Sequence, residues 1–491
     1  MNFTMNKNYI FSLSLAILLA VITSACDDGF EEMNQDPNNP TQIPTSYILS
    51  GAQTNLMEEF FGIYNESFKL NLLGMRYMQQ WTSTLYTDTD RYVQIEYDFT
   101  PVYFKGLRDI QEVINLNTDP ETADRAAFSG PNENQIGIAR IMKAWAFHNL
   151  TDIWGDIPYS QTLQGAENVT PVYDAQEQIY NDLILELDEA WEQINEGAGM
   201  VEGDLIYGGD MAMWKRFAQS LRLRLGMRLS EVRPDFAREV VTDALGKGVF
   251  EANDENALFN YNEQVPFVNP WYNEFYLETI TLAVSNTMID RLMALEDPRL
   301  PHFAKEADAF GEFIGMPFGV NAAIAGSIRN EEVSLPSDQI TTPTFPAILQ
   351  SYSEVLFLKA EAAARGWTSE DAAALYEQAV AASFEQWGAP ADQLEAYLAQ
   401  PEVAYDATNF RKSIGEQKWL ALYTQGMEAW AEWRRLDYPE LMPAPDAAAG
   451  RDIPRRKGYP LSEISLNRNN YEEAISRQGP DVMSTRVWWD Q

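Results

Sequence analysis

The stretch from Ser351 to Phe384 constrains the fold more than any other part of the chain. Ser351 to Arg365 is alanine-rich, with Val355, Leu358 and Ala362 on one helical face, and Gly366-Trp367 ends it. Thr368 and Asp371 then form a capping-box start for a second helix, which carries Ala374, Leu375, Ala379, Val380 and Phe384. Two helices within about 34 residues, with small side chains where they cross, make a helical hairpin. Such a hairpin cannot bury its own apolar faces and needs neighbours of the same kind. The chain is therefore expected to be all-α.

Other segments supply the neighbours. Tyr47 to Tyr77 repeats Leu49, Ala52, Leu56 and Phe60 at helical spacing. Asn132 to Thr151 carries Ile138, Ile141, Trp145 and His148 on one stripe and exits through Asp152 to Tyr159. Residues 174–195 place Ile179, Leu183, Leu187 and Trp191 four apart. Met211 to Glu231 aligns Trp214, Phe217, Leu221, Leu225 and Leu229. Its arginines, Arg222, Arg224 and Arg228, read as internal ion-pairing groups rather than a phosphate site, given the acidic surroundings. The expected scaffold is a set of tetratricopeptide-type helix pairs at about 133–245 and 345–388. Residues 250–345 break the pattern with many Asn, Pro, Gly and aromatics, and read as a loop-rich, ligand-binding insert. A last long helix is expected from Phe410 to Trp433, followed by coil over 434–491.

The start of the chain has a different logic. Lys7 precedes an apolar run, Ile10 to Ile22, of 13 residues. That is short of the ~20 residues a membrane-spanning helix needs. Thr23-Ser24-Ala25 and then Cys26, the only cysteine, follow. Residues 1–25 thus read as a signal peptide, and Cys26 as a residue that carries lipid. Thr-Ser-Ala-Cys resembles a bacterial lipobox, with Thr23 where a leucine is usual. The acidic run Asp27 to Glu32 resembles the signal that exports Bacteroidetes lipoproteins to the outer face of the outer membrane. Residues 26–46 form an acidic, proline-bearing linker, and 47–491 a single domain. A net charge of −38 repels nucleic-acid phosphates, which excludes that class of partner.

Several blocks, in order, carry a family resemblance. They are Asn34 to Thr41, Leu150 to Tyr159, Trp214 to Ala218 leading into Leu221 to Arg224, and Ser353 to Ala362. Near the end stand Gln417-Lys418-Trp419, Glu428-Ala429-Trp430, Glu432 to Arg435 and Ile453 to Arg456. Together they resemble the SusD/RagB family of nutrient-binding outer-membrane lipoproteins, in its SusD-like second branch. The resemblance implies an α-helical SusD-like fold with tetratricopeptide units. It implies a SusC-like TonB-dependent transporter as partner, capped by this chain on the extracellular side. It implies an oligosaccharide or polysaccharide ligand, with peptides as the alternative.

A glycan binder stacks flat rings on the C–H faces of sugars and bonds their hydroxyls with amides and carboxylates. Two loop stretches have that composition: Gln79 to Asp88, with Trp81 and Tyr86, and Asn269 to Tyr276, with Trp271, Tyr272 and Tyr276. These five aromatics are the expected ligand contacts, whereas Trp145, Trp191, Trp214, Trp387, Trp419 and Trp430 fall on helices and read as core or partner-facing. The acidic balance favours a neutral glycan such as a β-glucan over an acidic one. No catalytic motif is present. The only histidines are His148 and His302, and neither HExxH, Gly-x-Ser-x-Gly nor a P-loop occurs. No spacing identifies the carboxylate pair of a surface glycosidase. No cofactor is expected; Asp- and Asn-bearing loops leave room for a structural calcium but lack the EF-hand pattern.

Overall fold

The computed structural model describes residues 43–62, 69–95, 97–277 and 279–491. The signal peptide, Cys26 and almost all of the linker lie outside them. The unit Thr45–Gln491 is mostly helical, with three two-stranded antiparallel ribbons.

The helices follow the apolar stripes. They are α1 (Thr45–Phe61), α2 (Leu70–Tyr77), α3 (Arg108–Thr118), α4 (Asn132–Trp154), α5 (Gln176–Gln193), α6 (Met211–Arg228) and α7 (Pro234–Lys247). After the insert come α8 (Tyr352–Ala364), α9 (Ala372–Trp387), α10 (Phe410–Ala421) and α11 (Gly426–Leu436). Chain neighbours pack as hairpins: α4 on α5, α6 on α7 and α8 on α9. Capping fixes their starts. Asp210 accepts from the N–H groups of Ala212 and Met213, and Asp371 from those of Ala373 and Ala374. Asp371 is thus itself the cap of α9, with Thr368 outside it.

Two sequence expectations are corrected at the C-terminal end. The single helix expected from Phe410 to Trp433 is two, because the chain turns at Thr424 with a φ of 71°. The turn lets α11 cross α2 at Gly426 and Gly74. A Cβ on either glycine would lie 2.1–2.2 Å from the other helix's backbone. The tail is not all coil: it forms helices Leu461–Leu466 and Arg468–Gln478.

The centre of the helical body holds an ion network rather than a purely apolar core. Arg224 of α6 bonds Glu354 of α8 in a two-pronged contact at 2.6 and 2.7 Å. Arg228, one turn on, pairs with Glu428 at 2.6 Å and with Glu432, both on α11. Arg435 pairs with Glu361 of α8 at 2.5 Å and with Glu432 at 2.6 Å, and Lys418 of α10 reaches Glu432 at 2.8 Å. All these side chains are buried. Burial alone would raise the Glu432 carboxyl, but Arg435, Lys418 and Arg228 hold it well below the usual carboxylate range. The network therefore ties four helices together, α6, α8, α10 and α11.

Between α7 and α8 runs the insert. One ribbon reaches back to the body, Leu282–Val284 pairing with Trp81–Ser83, and the other pairs the two ends of the insert, Ala257–Phe259 with Ala347–Gln350. Both pairings join residues far apart in sequence, and they position the site.

Candidate ligand-binding site

The first loop is held by one buried ion pair. Arg76, on α2, donates to Asp90 at 2.6 and 2.9 Å and to the Tyr86 carbonyl at 2.7 Å. Asp90 also accepts from Thr82 Oγ1 and the Ser83 N–H, both at 2.9 Å. Ser83 Oγ accepts from the Tyr86 N–H at 2.8 Å and donates to the Thr281 carbonyl at 2.9 Å. The strand is thereby locked inward while the turn after it faces solvent. Leu85 and Tyr86 are exposed, Tyr86 at 59%.

The second loop contains a helical start that its composition concealed. Asn269 caps a turn at Pro270–Tyr272: its Oδ1 accepts from the Trp271 N–H at 2.7 Å, and its Nδ2 donates to the Phe345 carbonyl at 2.6 Å. The turn continues as a π-helical segment, Asn273–Leu277. Helical spacing then sorts its rings by side. Trp271 and Phe275 face inward, while Tyr272 and Tyr276 face outward with ring centroids 5.3 Å apart and planes at 34°. Tyr276 is 51% exposed and Tyr272 half-buried. The Tyr276 hydroxyl donates to Asp338 at 3.3 Å and lies as far from Thr341 Oγ1. Thr281 donates to Glu274 through its N–H at 2.8 Å, linking the second loop to the first.

The five expected contacts thus divide. Trp81 is fully buried. Its Nε1–H donates to the Tyr423 hydroxyl at 2.6 Å, and its ring packs on Trp271 at 5.0 Å and Phe275 at 5.9 Å. Trp271 is 4% exposed and also packs on Phe345 at 5.7 Å. The cavity beside it holds about 10 Å³, too little for a sugar. The expectation that these two tryptophans present a face to ligand is corrected: strand pairing and a helical turn draw them into the core. Tyr86, Tyr272 and Tyr276 remain at the surface.

The turn at 338–342 serves two places. Asp338 and Thr341 meet Tyr276, while Gln339 and Thr342 line a cavity of about 430 Å³. Asn253, Asn256, Gln386 and Trp387 line it as well. These residues come from separate stretches of chain, and no local pattern announced them. Among the described residues, no group of three or more His, Cys, Asp or Glu is arranged to hold a metal ion. No described helix is long and apolar enough to cross a membrane.

Comparison with known proteins bears on this arrangement. Residues 37–460 match a family model, SusD-like, described as starch-binding and associating with the outer membrane. The chain belongs to the SusD-like family. Among solved structures it is similar to a chitin-binding protein, with 31% identity and a TM-score of 0.78 over 91% of this chain and all of that one. It is similar to a SusD homologue from Bacteroides uniformis, with 27% identity and a TM-score of 0.76 over 91% of this chain and 99% of that one. A chitin-binding SusD homologue from Flavobacterium johnsoniae shares the fold, at 24% identity and a TM-score of 0.77, over 90% of this chain and 98% of that one. No match was found among curated proteins.

Proposed function

We propose that this SusD-like chain is a cell-surface lipoprotein that binds a neutral β-linked glycan and passes it to a SusC-like TonB-dependent transporter, without chemistry of its own. The observation that carries the reading is the outward pair Tyr272 and Tyr276. The two rings, 5.3 Å apart, stand beside a carboxylate and a hydroxyl. Rings of that kind match the C–H faces of sugars, and Asp338 and Thr341 suit their hydroxyls. Tyr86 is a further exposed ring, on the first loop. A net charge of −38 disfavours acidic polysaccharides, hence the neutral class. The relative named as chitin-binding puts chitin oligosaccharides beside β-glucans as ligands to test first.

The rest of the reading concerns placement. Residues 1–25 direct export, Cys26 carries the lipid, and the linker to 46 holds the tetratricopeptide-type body at the extracellular side of the outer membrane. Calorimetry and affinity gels against starch, β-glucan, chitin oligosaccharides and a peptide mixture test the function. Binding to a neutral glycan, weakened in Tyr272→Ala and Tyr276→Ala, is expected. Binding to peptides alone, or release of reducing ends from a bound glycan, would overturn it.

A further inference from the structure

Lys305 stands beside the outward tyrosines. Its Nζ lies 3.0 Å from Asp338 Oδ1, the oxygen that also accepts from the Tyr276 hydroxyl at 3.3 Å. The frame beneath the pair is fixed. The Lys305 N–H donates to the Leu335 carbonyl at 2.9 Å and the Ser337 N–H to the Phe303 carbonyl at 3.1 Å, while Ala304 and Pro336 form an antiparallel bridge. Phe303 is fully buried and stacks on Tyr423 at 4.2 Å. Two paired segments, 303–305 and 335–338, thus present the cation and the carboxylate side by side before any ligand arrives.

Stability does not account for the pair. Its side chains are 38% and 75% exposed, and an ion pair so open to water contributes little to folding. Hydrogen-bonding capacity is left over on both sides. An ammonium carries three N–H donors, and among the described residues Lys305 pairs with Asp338 only. The Tyr276 and Lys305 contacts both fall on Oδ1, so the exposed carboxylate has Oδ2 open to a ligand. The two charges offset each other. What remains is a donor and an acceptor in contact, at the hydroxyl end of the Tyr276 ring.

A neutral sugar that meets both groups at once needs one hydroxyl that donates and another that accepts, on neighbouring carbons. Resting on the reading of the Tyr272 and Tyr276 surface as a glycan site, we propose that Lys305 is a specificity-determining residue of that site, and that with Asp338 it reads a vicinal pair of sugar hydroxyls. One hydroxyl donates to Asp338 Oδ2 and its neighbour accepts from Lys305 Nζ, while the sugar ring lies on the tyrosines. Glucans differ in whether they offer such a pair along the chain. β-1,4-Linked glucose keeps free hydroxyls on C2 and C3 of every unit. β-1,3-Linked glucose uses C3 for the linkage, which leaves inner units with hydroxyls on C2 and C4, not on neighbouring carbons. The site therefore selects β-1,4- over β-1,3-linked glucan.

The test compares cellohexaose with laminarihexaose, which share glucose and the β linkage and differ in the carbon linked. At this length chain ends are a minority of the units. Calorimetry is run on the full mature chain, on Lys305→Met, which keeps the stem and removes the donors, and on Lys305→Arg, which keeps charge and donors. Wild-type protein should prefer cellohexaose at least fivefold. Lys305→Met should bring the preference below twofold by weakening cellohexaose alone, and Lys305→Arg should keep it above twofold. All three should melt alike, which separates recognition from folding. Should the methionine variant not fold, Lys305→Ala carries the same expectation. A wild-type preference under fivefold, or one that stays above twofold without the lysine donors, overturns the role of Lys305 and leaves the glycan reading standing. Absence of binding to both sugars overturns this inference, and if starch and chitin oligosaccharides also fail to bind, the glycan reading falls with it.

Discussion

Arg228→Met tests whether the buried ion network holds the scaffold. The variant keeps the bulk of the side chain and removes its charge. What is left behind differs by residue. Glu432 retains Lys418 at 2.8 Å and Arg435 at 2.6 Å. Asp152, 3.4 Å from Arg228, retains the Trp489 Nε1–H at 2.8 Å and the Tyr180 hydroxyl. Glu428 is left with Arg224 at 3.5 Å as its nearest ion-pair partner. Burial already pushes the Glu428 carboxyl above its ordinary range even with both arginines present. It becomes the uncompensated charge, and removing one partner of a buried pair typically costs about 3–5 kcal/mol. Unfolding entropy of roughly 2 cal/mol/K per residue, applied to the unit Thr45–Gln491, turns this into a fall in Tm of about 3–5 °C. The pH dependence has a definite sign. A carboxyl raised in the folded state binds more protons there than in the unfolded state. Stability then falls as pH rises from about 4.5 through the raised value, so the penalty is larger at pH 7 than at pH 5. The assay is thermal melting by circular dichroism at pH 7 and pH 5, with the double variant Arg228→Met/Glu428→Leu beside the single one. The double variant should recover part of the loss, since contacting charges couple by about 0.5–3 kcal/mol. A Tm within 1 °C of wild type, or a double variant no better than additive, would refute the reasoning.

Other predictions follow from the site and its setting. Tyr276→Ala should weaken glycan binding by about 2- to 13-fold, since stacking contributes about 0.5–1.5 kcal/mol, and leave Tm unchanged; calorimetry and melting read both. Trp81→Ala should do the reverse, losing about 3–5 kcal/mol of stability as a fully buried tryptophan, measured by urea unfolding. His148 is fully buried, and burial together with Arg224 and Arg228 pushes its imidazole well below 6.5. The unfolded chain therefore binds the extra proton, and stability drops as pH falls below about 6.5, by up to ~1.4 kcal/mol per pH unit. His148→Gln should flatten the melting profile between pH 6.5 and 5; an unchanged slope would exclude this histidine as its source. Cys26→Ala should release the protein from membranes, read by fractionation, with glycan affinity kept; membrane retention without the transporter would count against lipid anchoring.

The helical scaffold was legible because its signal is local. Stripes such as Trp214, Phe217, Leu221 and Leu225 repeat every turn, and a buried face is what a 3.6-residue period encodes. The site was half legible for the same reason. Trp81 sits among Gln, Thr and Ser, a composition that reads as loop. Its burial is decided by pairing with Val284 and contact with Tyr423, hundreds of residues away. The turn at 270–277 carried a local clue that aromatic content obscured. Asn269-Pro270 is a helix start, and from it Trp271 and Phe275 fall on one side, Tyr272 and Tyr276 on the other. The cavity lining had no such clue, since its polar groups meet only in three dimensions.

The buried tryptophans still belong to the site's physics. Trp81 packs on Trp271 at 5.0 Å, Trp271 on Phe345 at 5.7 Å, and Phe345 on Trp387 at 6.1 Å. These contacts chain the rings from Trp81 to the wall of the cavity. A surface ring adds to affinity only to the extent that it is held in place before ligand arrives, because ordering it on binding offsets the stacking gain. For Tyr276 that hold comes from its hydroxyl, 3.3 Å from Asp338 and Thr341, and from the Tyr272 ring 5.3 Å away. Trp81 and Trp271 pack within the core, and Tyr86, Tyr272 and Tyr276 are the aromatics of these two loops left at the surface.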